Sequence, residues 1–315
     1  MQPTPSLALG IVAGLAAAAA SAVSYLVARH HGGRTGGAGV RLLAPAHALM
    51  GAFSLPLTWL LWPDAVPPVR GWLPPLLLSV GCYLVGQACV YAALLRMPAS
   101  RLAPLLGLKV VVLAVIVSCL PGEPLVARQW CAVGLAVVAA LMLKREPTGS
   151  RPAAAGGFAI VLVGCLFYAV SDLGILGLID AFHSPCAQCC PPIGRLHAGG
   201  LAMAVTYVFC GAIALPFVPR LRLRAAGDWV APVQYAAAWL GGMAALYTCF
   251  GTVGLVFGNI LQSTRGIMAV VAGAALAHLG WHDLEERVDQ ATLLRRLAAA
   301  ALMTAAIALY VFAGT

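Results

Sequence analysis

Long apolar runs, broken at short polar intervals, set the organisation of this chain. Stretches near 6–28, 42–62, 72–95, 99–120, 126–143, 156–179, 198–218, 229–250, 258–280 and 293–313 are each apolar enough to cross a bilayer as a helix, and each comes near the ~20 residues a span needs. Met97-Pro98 breaks the chain between the third and fourth stretches, and Pro121-Gly122-Glu123-Pro124 turns it between the fourth and fifth. The first stretch has no basic residue before it, and its small-residue run Ala16 to Ala22 mimics a signal-peptide cleavage site. An internal repeat needs it as a retained span, so it is read as one. The pattern predicts an all-α integral membrane protein with ten transmembrane helices.

Composition agrees. The chain of 315 residues is 62% hydrophobic and 9% charged, with a mean hydropathy of +0.93, outside the range of soluble domains. Ten spans leave no room for a soluble domain. No GxxxxGK[ST] loop is present, which argues against an ATP-driven pump built from this chain alone. The formal charge of +9 comes from basic connections. In a membrane protein that reports orientation and contact with anionic lipid, not nucleic-acid binding.

Those basic residues alternate. Connections after the odd-numbered spans carry 14 of the 19 Lys and Arg, and those after the even-numbered spans carry Arg70, Arg128 and Arg195. Lys109 and Arg265 lie inside spans and complete the count. The positive-inside rule then predicts odd-numbered connections in the cytoplasm and both termini outside.

The two halves repeat each other. Ala22-Val23-Ser24-Tyr25-Leu26 matches Ala169-Val170-Ser171-Asp172-Leu173 at an offset of 147, Arg41-Leu42 matches Arg195-Leu196 at 154, and Trp72 with Pro75 matches Trp229 with Pro232 at 157. Lys109 then falls on Arg265 at 156. An odd number of spans per half makes the repeat inverted, a frequent transporter design with its site at the midplane. The expected domains are residues 1–147 and 148–315, each a five-helix repeat. The second carries a cysteine-containing loop at 181–197.

Lys109 is the first candidate for chemistry. It sits about ten residues, or roughly 15 Å, from either end of its predicted span, too deep for its stem to snorkel easily to a headgroup. A charge at that depth costs at least a few kcal/mol and marks a cavity-facing site by default. Arg265 is its mate, and two such bases would hold a carboxylate or phosphate, Arg with a planar fork and Lys as a point charge. The bland alternative is that each base pairs with an internal acid to hold helices together. Asp172, equally deep, is the natural acid. It reads as a counter-ion, as a proton-coupling site, or as a packing residue. Its repeat mate Tyr25 is an uncharged cavity candidate. Gln262, with Asn259 and Ser263, lies within two turns of Arg265 and offers neutral donors. Gln87 and Tyr91 come next, ahead of His47, Tyr168 and Tyr247. Each of these alone is more often a helix-bridging hydrogen bond than a ligand contact.

The loop His183-Ser184-Pro185-Cys186-Ala187-Gln188-Cys189-Cys190 has metal-ligand spacing. The charge pattern places it outside, where a disulfide or unpaired thiols are the more common outcome, so no metal is assigned. The other seven cysteines read as small apolar residues.

The stretch Ala99 to Val115 (ASRLAPLLGLKVVVLAV), followed by Pro121 to Leu135 (PGEPLVARQWCAVGL), resembles the drug/metabolite transporter superfamily, and within it the EamA-type repeat. The family pattern is a small-residue helix, a Gly-Glu turn, then a polar residue followed by Trp and Gly. Gly122, Glu123, Gln129, Trp130 and Gly134 match it. The second half departs, with Gly280-Trp281-His282-Asp283-Leu284-Glu285-Glu286 in place of a clean Gly-Glu turn. Many bacterial members also keep their termini in the cytoplasm, against the charge pattern here.

The resemblance implies a ten-helix bundle around a central cavity, with alternating access to the two sides. In organellar phosphate-translocator relatives, basic residues on the fourth and ninth helices hold the anionic group of the substrate. Lys109 and Arg265 occupy those helices.

The expected function is secondary transport of a small organic metabolite with an anionic or zwitterionic group. The partners are the lipid bilayer, the substrate and, if coupling is proton-driven, protons. Exchange and facilitation fit equally, as do a monomer and a homodimer. Export of cationic or amphipathic drugs through Asp172, or a channel-like or receptor-like bundle, are the alternatives. No acid, base or nucleophile set with motif spacing appears, so neither an enzyme nor a cofactor is expected. Heavy Arg and Ala use with two lysines suggests a high-GC bacterium and its inner membrane.

Overall fold

In the computed structural model the described residues are 7–34, 39–63, 68–119, 127–144, 154–183, 193–221, 223, 225–280 and 289–312. They fold as α1 (Leu7–Arg34), α2 (Val40–Leu61), α3 (Val69–Leu94), α4 (Ala99–Leu105), α5 (Leu108–Cys119), α6 (Ala127–Lys144), α7 (Ala154–His183), α8 (Arg195–Ala214), α9 (Ala226–Ser263), α10 (Arg265–His278) and α11 (Gln290–Phe312). Two 3₁₀ turns, Leu215–Phe217 and Pro219–Leu221, follow α8, and no strand occurs among the described residues.

Among those residues six helices are long and apolar enough to cross a membrane: Leu7–Gly32, Val40–Leu61, Val69–Leu94, Gly156–His183, Arg195–Phe217 and Ala226–Gly254. Their side chains are distributed the opposite way from a soluble protein. Trp59 is 84% exposed and Leu60 73%, while Ser24, Gln87, Lys109, Asp172 and Arg265 are buried. A hydrocarbon surround makes that arrangement favourable, and helices satisfy their backbone groups internally, as hydrocarbon requires. Prolines inside α2, α3, α4 and α9 fit the same setting. The chain is a multi-pass membrane protein.

Contacts divide it into two compact units. Unit 1 holds Met1–Ala20, Ala38–Leu84 and Val170–Gly258, and unit 2 holds Ser21–Gly37, Val85–Ala169 and Asn259–Thr315. Each unit draws on both halves of the sequence, and α1, α3, α7 and α9 contribute a segment to each.

Within unit 1, α2 packs along α8. The helices meet at Gly51 and Gly211, where a Cβ added to either would lie 2.7 Å from the other's Cα. Small residues at such a crossing let backbones approach without a side chain between them. Ser171 on α7 donates to the Ser79 carbonyl of α3 at 3.1 Å. One end of the unit carries Trp62, Trp72 and Phe182 in mutual contact, with ring centroids 6.1, 6.3 and 6.0 Å apart. The exposed Arg195–Asp180 ion pair, at 2.9 Å, joins the start of α8 to the end of α7 that carries Phe182. Aromatic rings beside charged groups are the signature of a bilayer surface.

Within unit 2, α6 packs on α11 and α4 on α10. Basic side chains close helix ends here. Arg29 donates to the Leu94 carbonyl at 2.5 Å and Arg96 to that of Ala92 at 2.7 Å, so two guanidinium groups satisfy the C-terminal carbonyls of α3, where positive charge is favoured. Arg296 donates to the Ser100 hydroxyl at 2.6 Å.

Two features differ from the predicted spans. The fourth is not continuous, because it breaks at Leu106-Gly107. The connection expected at 251–257 is shorter than predicted: two helical stretches meet at a kink there, at Gly254 with φ 81° and ψ 167°, and run together as α9. The Gly122-Glu123 turn, the cysteines Cys186, Cys189 and Cys190, and the acidic stretch at 281–286 lie outside the described residues.

Candidate functional site

A helix break precedes a buried base in each half of the chain. Pro104 lacks the N–H that would continue α4, so the backbone tightens, with Gly107 N–H donating to Pro104 O at 2.9 Å and Lys109 N–H to Leu106 O at 3.2 Å. α5 then begins at Leu108, and Lys109 is its second residue. In the second half the Thr264 hydroxyl bonds back to Leu261 O at 2.6 Å, and its N–H donates to the same carbonyl at 3.1 Å. That ends α9, and α10 opens on Arg265. Lys109 was expected near the middle of a continuous span; it stands at a helix N-terminus instead.

Two electrostatic consequences follow. A helix N-terminus carries a partial positive charge, so a cation placed there adds to it. Both bases are also buried, Lys109 at 4% exposure and Arg265 at 5%. Each half therefore concentrates positive potential at one point inside an apolar protein, the arrangement that suits an anion.

Both bases are held by neutral acceptors within unit 2. Lys109 Nζ donates to Gln262 Oε1 at 3.2 Å. Arg265 Nη2 donates to the Leu106 carbonyl at 3.3 Å, at the C-terminal end of α4, where the helix dipole favours a cation. The Nε–H of Arg265 is buried without a hydrogen-bond partner. Gly266 lets α10 approach this point, since a Cβ there would lie 2.9 Å from the Pro104 Cα. The Lys109 ammonium thus stays inside the unit and does not reach a headgroup.

The other expected residues divide as follows. Tyr25, 1% exposed, lies in the field of the Arg265 guanidinium. With Lys109, Gln262 and Arg265 it forms one group. Asn259 and Ser263 are buried just ahead of Arg265. Gln87 and Tyr91 are buried on α3 in the same unit, with the Tyr91 hydroxyl against Gly32 near the end of α1. Asp172 belongs to unit 1, where its charge acts on Tyr247.

Sequence reasoning missed Cys165. It is fully buried, donates weakly to the Leu105 carbonyl at 3.7 Å, and lies in the fields of both Arg265 and Lys109. A cysteine inside an apolar helix carries no signal that separates it from a core residue. Tyr83 was also missed: its hydroxyl faces His47 in unit 1. Among the described residues no cluster of His, Cys, Asp and Glu could hold a metal.

Residues 8–145 match the EamA-like transporter family. That match, to a family consistent with the drug/metabolite superfamily, is confined to the first part of the chain and contains the 99–135 stretch that carries the resemblance. The family is not one of enzymes. None of the curated proteins compared matches the chain. A crystal structure of another protein superposes with a TM-score of 0.56 at 12% identity, covering 98% of this chain and 98% of that one. At that identity the likeness speaks for the fold alone.

Proposed function

We propose that this protein is a secondary transporter of the drug/metabolite type that moves a small organic anion or zwitterion by alternating access, with Lys109 and Arg265 as its anion clamp. The carrying observation is the helix break placed directly before a buried base in both halves. Discontinuous helices with N-termini aimed at anionic groups are a recurrent transporter site. Gln262 Oε1 and Leu106 O are neutral acceptors for the two bases, and an entering carboxylate or phosphate that replaces them gains charge-assisted bonds. Tyr25 and Gln262 belong to the same group, and Gln87 and Tyr91 of the same unit are the further proposed substrate contacts; Asp172, in unit 1, is proposed as a separate site.

The proposed architecture is ten spans in two inverted five-helix repeats, 1–147 and 148–315, around a central cavity. Matched registers support it. Trp72 and Pro75 are the fourth and seventh residues of α3, as Trp229 and Pro232 are of α9. Ser24 and Ser171 are each the eighteenth residue of α1 and α7. The packed pairs α2–α8 and α6–α11 each join an element to its repeat mate. The proposed setting is a bacterial inner membrane.

The test is a thermal-shift screen of purified protein against sugar phosphates, carboxylates, amino acids and cationic drugs, repeated on Lys109→Ala and Arg265→Ala. A ligand that binds the native state raises the melting temperature by mass action. Anions should stabilise the wild type and neither variant. Stabilisation by cations, unchanged in both variants, overturns the clamp and turns attention to Asp172.

A further inference from the structure

We infer that His47 is a proton-binding site of this protein, and that its protonation reorients a hydrogen-bond chain linking four helices of unit 1. The inference rests on the transport reading for its purpose and on unit 1 alone for its geometry.

His47 is 2% exposed on α2. Its Nδ1 lies 2.7 Å from the Leu43 carbonyl and its Nε2 lies 3.1 Å from the Tyr83 hydroxyl. A carbonyl only accepts, so Nδ1 carries a hydrogen and donates it. Nε2 faces a group that can either donate or accept. With the imidazole neutral, Tyr83 O–H donates to Nε2. With the imidazole protonated, Nε2–H donates to the Tyr83 oxygen. The His47–Tyr83 contact is hydrogen-bonded in both states with its heavy atoms in place, and the Tyr83 hydroxyl hydrogen turns between them. A second carbonyl at Nε2 would fix the charged form, and an N–H there would fix the neutral one. A hydroxyl permits both, which reversible proton binding requires.

The turn is transmitted. Tyr83 is hydrogen-bonded to Tyr207, and the Tyr207 hydroxyl accepts from Trp239 Nε1 at 2.9 Å. The indole only donates, so with neutral His47 the chain runs Trp239 to Tyr207 to Tyr83 to His47 to Leu43 O. Protonation at Nε2 turns the Tyr83 hydrogen toward the Tyr207 oxygen, and the Tyr207 hydrogen must then seek another acceptor. The participating side chains stand on α9, α8, α3 and α2. The rings are packed as well as bonded, with centroids 5.6 Å apart for His47–Tyr83, 5.7 Å for Tyr83–Tyr207 and 6.1 Å for Tyr83–Trp239.

The titratable groups around the chain are Tyr83 on α3, Tyr207 and Cys210 on α8, Tyr235 and Tyr247 on α9, and Asp172 on α7. Tyr247 donates to the Thr206 hydroxyl at 3.4 Å and lies in the field of Asp172. Among these groups the Asp172 carboxylate is the acid, and its charge acts on Tyr247.

The experiment uses the full chain in proteoliposomes on a solid-supported membrane, with a step to acid pH and no transported solute. The wild type should give a transient charge displacement that His47→Gln loses and Tyr83→Phe diminishes. A displacement of wild-type size in His47→Gln overturns the assignment, and loss in Asp172→Asn with retention in His47→Gln moves the proton to that acid. Nitrogen NMR of histidine-labelled wild type tests the same point without a variant. One buried imidazole should pass from the Nδ1–H neutral form to imidazolium on acidification, at lower pH than the exposed histidines of the chain. Absence of such a histidine overturns the assignment. No anion is present in either measurement, so failure here leaves the Lys109–Arg265 clamp standing, and failure of the thermal-shift screen leaves His47 standing.

Discussion

Lys109 donates to Gln262 across 153 positions of sequence at 3.2 Å, and the bond has a reciprocal partner. Gln262 stands three residues before Arg265, and Arg265 donates to Leu106, three residues before Lys109. Each base is therefore tied to the residue three positions ahead of the other base. One acceptor is a side-chain amide and the other a backbone carbonyl. Both acceptors are neutral, and each positions a buried base.

Gln262 can be altered in two informative ways. Gln262→Leu removes the acceptor of a buried ammonium, and leaving such a donor unmatched costs about 1–3 kcal/mol. Gln262→Glu converts the contact into a buried ion pair that occupies Lys109 with a resident anion. Thermal unfolding in detergent should show Gln262→Leu less stable than wild type. Any anion that stabilises the wild type should stabilise Gln262→Glu far less. Equal anion responses in wild type and Gln262→Glu would mean that Lys109 does not meet the ligand.

The membrane class was legible because Lys109, Asp172 and Arg265 stand out against long apolar runs. The repeat was legible because Trp72 with Pro75 returns as Trp229 with Pro232. The breaks were not. Pro104 and Gly107 were visible, yet the apolar run continues past both, and hydropathy does not distinguish one long helix from two short ones. At 251–257, read as the connection between the eighth and ninth spans, the chain does break, but at one residue. A membrane helix keeps its backbone bonds wherever it can, so only Gly254 departs. Tyr83 escaped notice because tyrosine beside Cys82 in an apolar helix reads as packing. Its role appears only once α2 and α3 bring it to His47.

The α2–α8 crossing gives a controlled comparison between two glycines. An added Cβ on Gly51 would lie 2.7 Å from the Gly211 Cα and 3.1 Å from the Tyr207 carbonyl, both backbone atoms, whereas one on Gly81 of α3 meets nothing within 4 Å. Gly51→Ala must push the helices apart, and overpacking of this kind costs about 1–3 kcal/mol. Gly81→Ala should be neutral or slightly stabilising, as expected for alanine in a helix. Thermal melts of the two variants side by side check this. A Gly51→Ala protein as stable as Gly81→Ala would show that α2 and α8 do not meet there.

Asp289 gives a pH dependence outside the spans. It precedes α11, its carbonyl accepts from Leu293 N–H at 3.0 Å, and its carboxylate accepts from the Thr292 hydroxyl and N–H. The Thr292 hydroxyl bond, chiefly, holds the carboxyl below its ordinary value of 3.8. A carboxyl depressed on folding stabilises the helix start above its unfolded value, and that contribution is lost as pH falls through the folded value. Hydrogen-exchange protection factors in the first turn of α11, corrected for the intrinsic rate at each pH, should be higher at neutral pH than below about pH 4. In Asp289→Ala they should be low at both. Protection independent of pH in the wild type would remove Asp289 as the cap.

Gly254 tests backbone conformation apart from crowding. Its φ of 81° with ψ of 167° lies in a region essentially closed to side-chain-bearing residues, yet a Cβ there would meet nothing within 4 Å. Strain of that kind costs about 1–3 kcal/mol, and no neighbour could relieve it by moving. Gly254→Ala should therefore lower the melting temperature while Gly241→Ala, on the same helix with equally open surroundings, does not. The Gly254→Ala chain can escape the strain only by adopting helical angles at 254, which would straighten α9 through the kink. Two spin labels on α9, one on each side of Gly254, would then report a longer separation than in the wild type. If Gly254→Ala matches Gly241→Ala in stability and the label distance is unchanged, residue 254 is helical in the native protein and α9 has no kink.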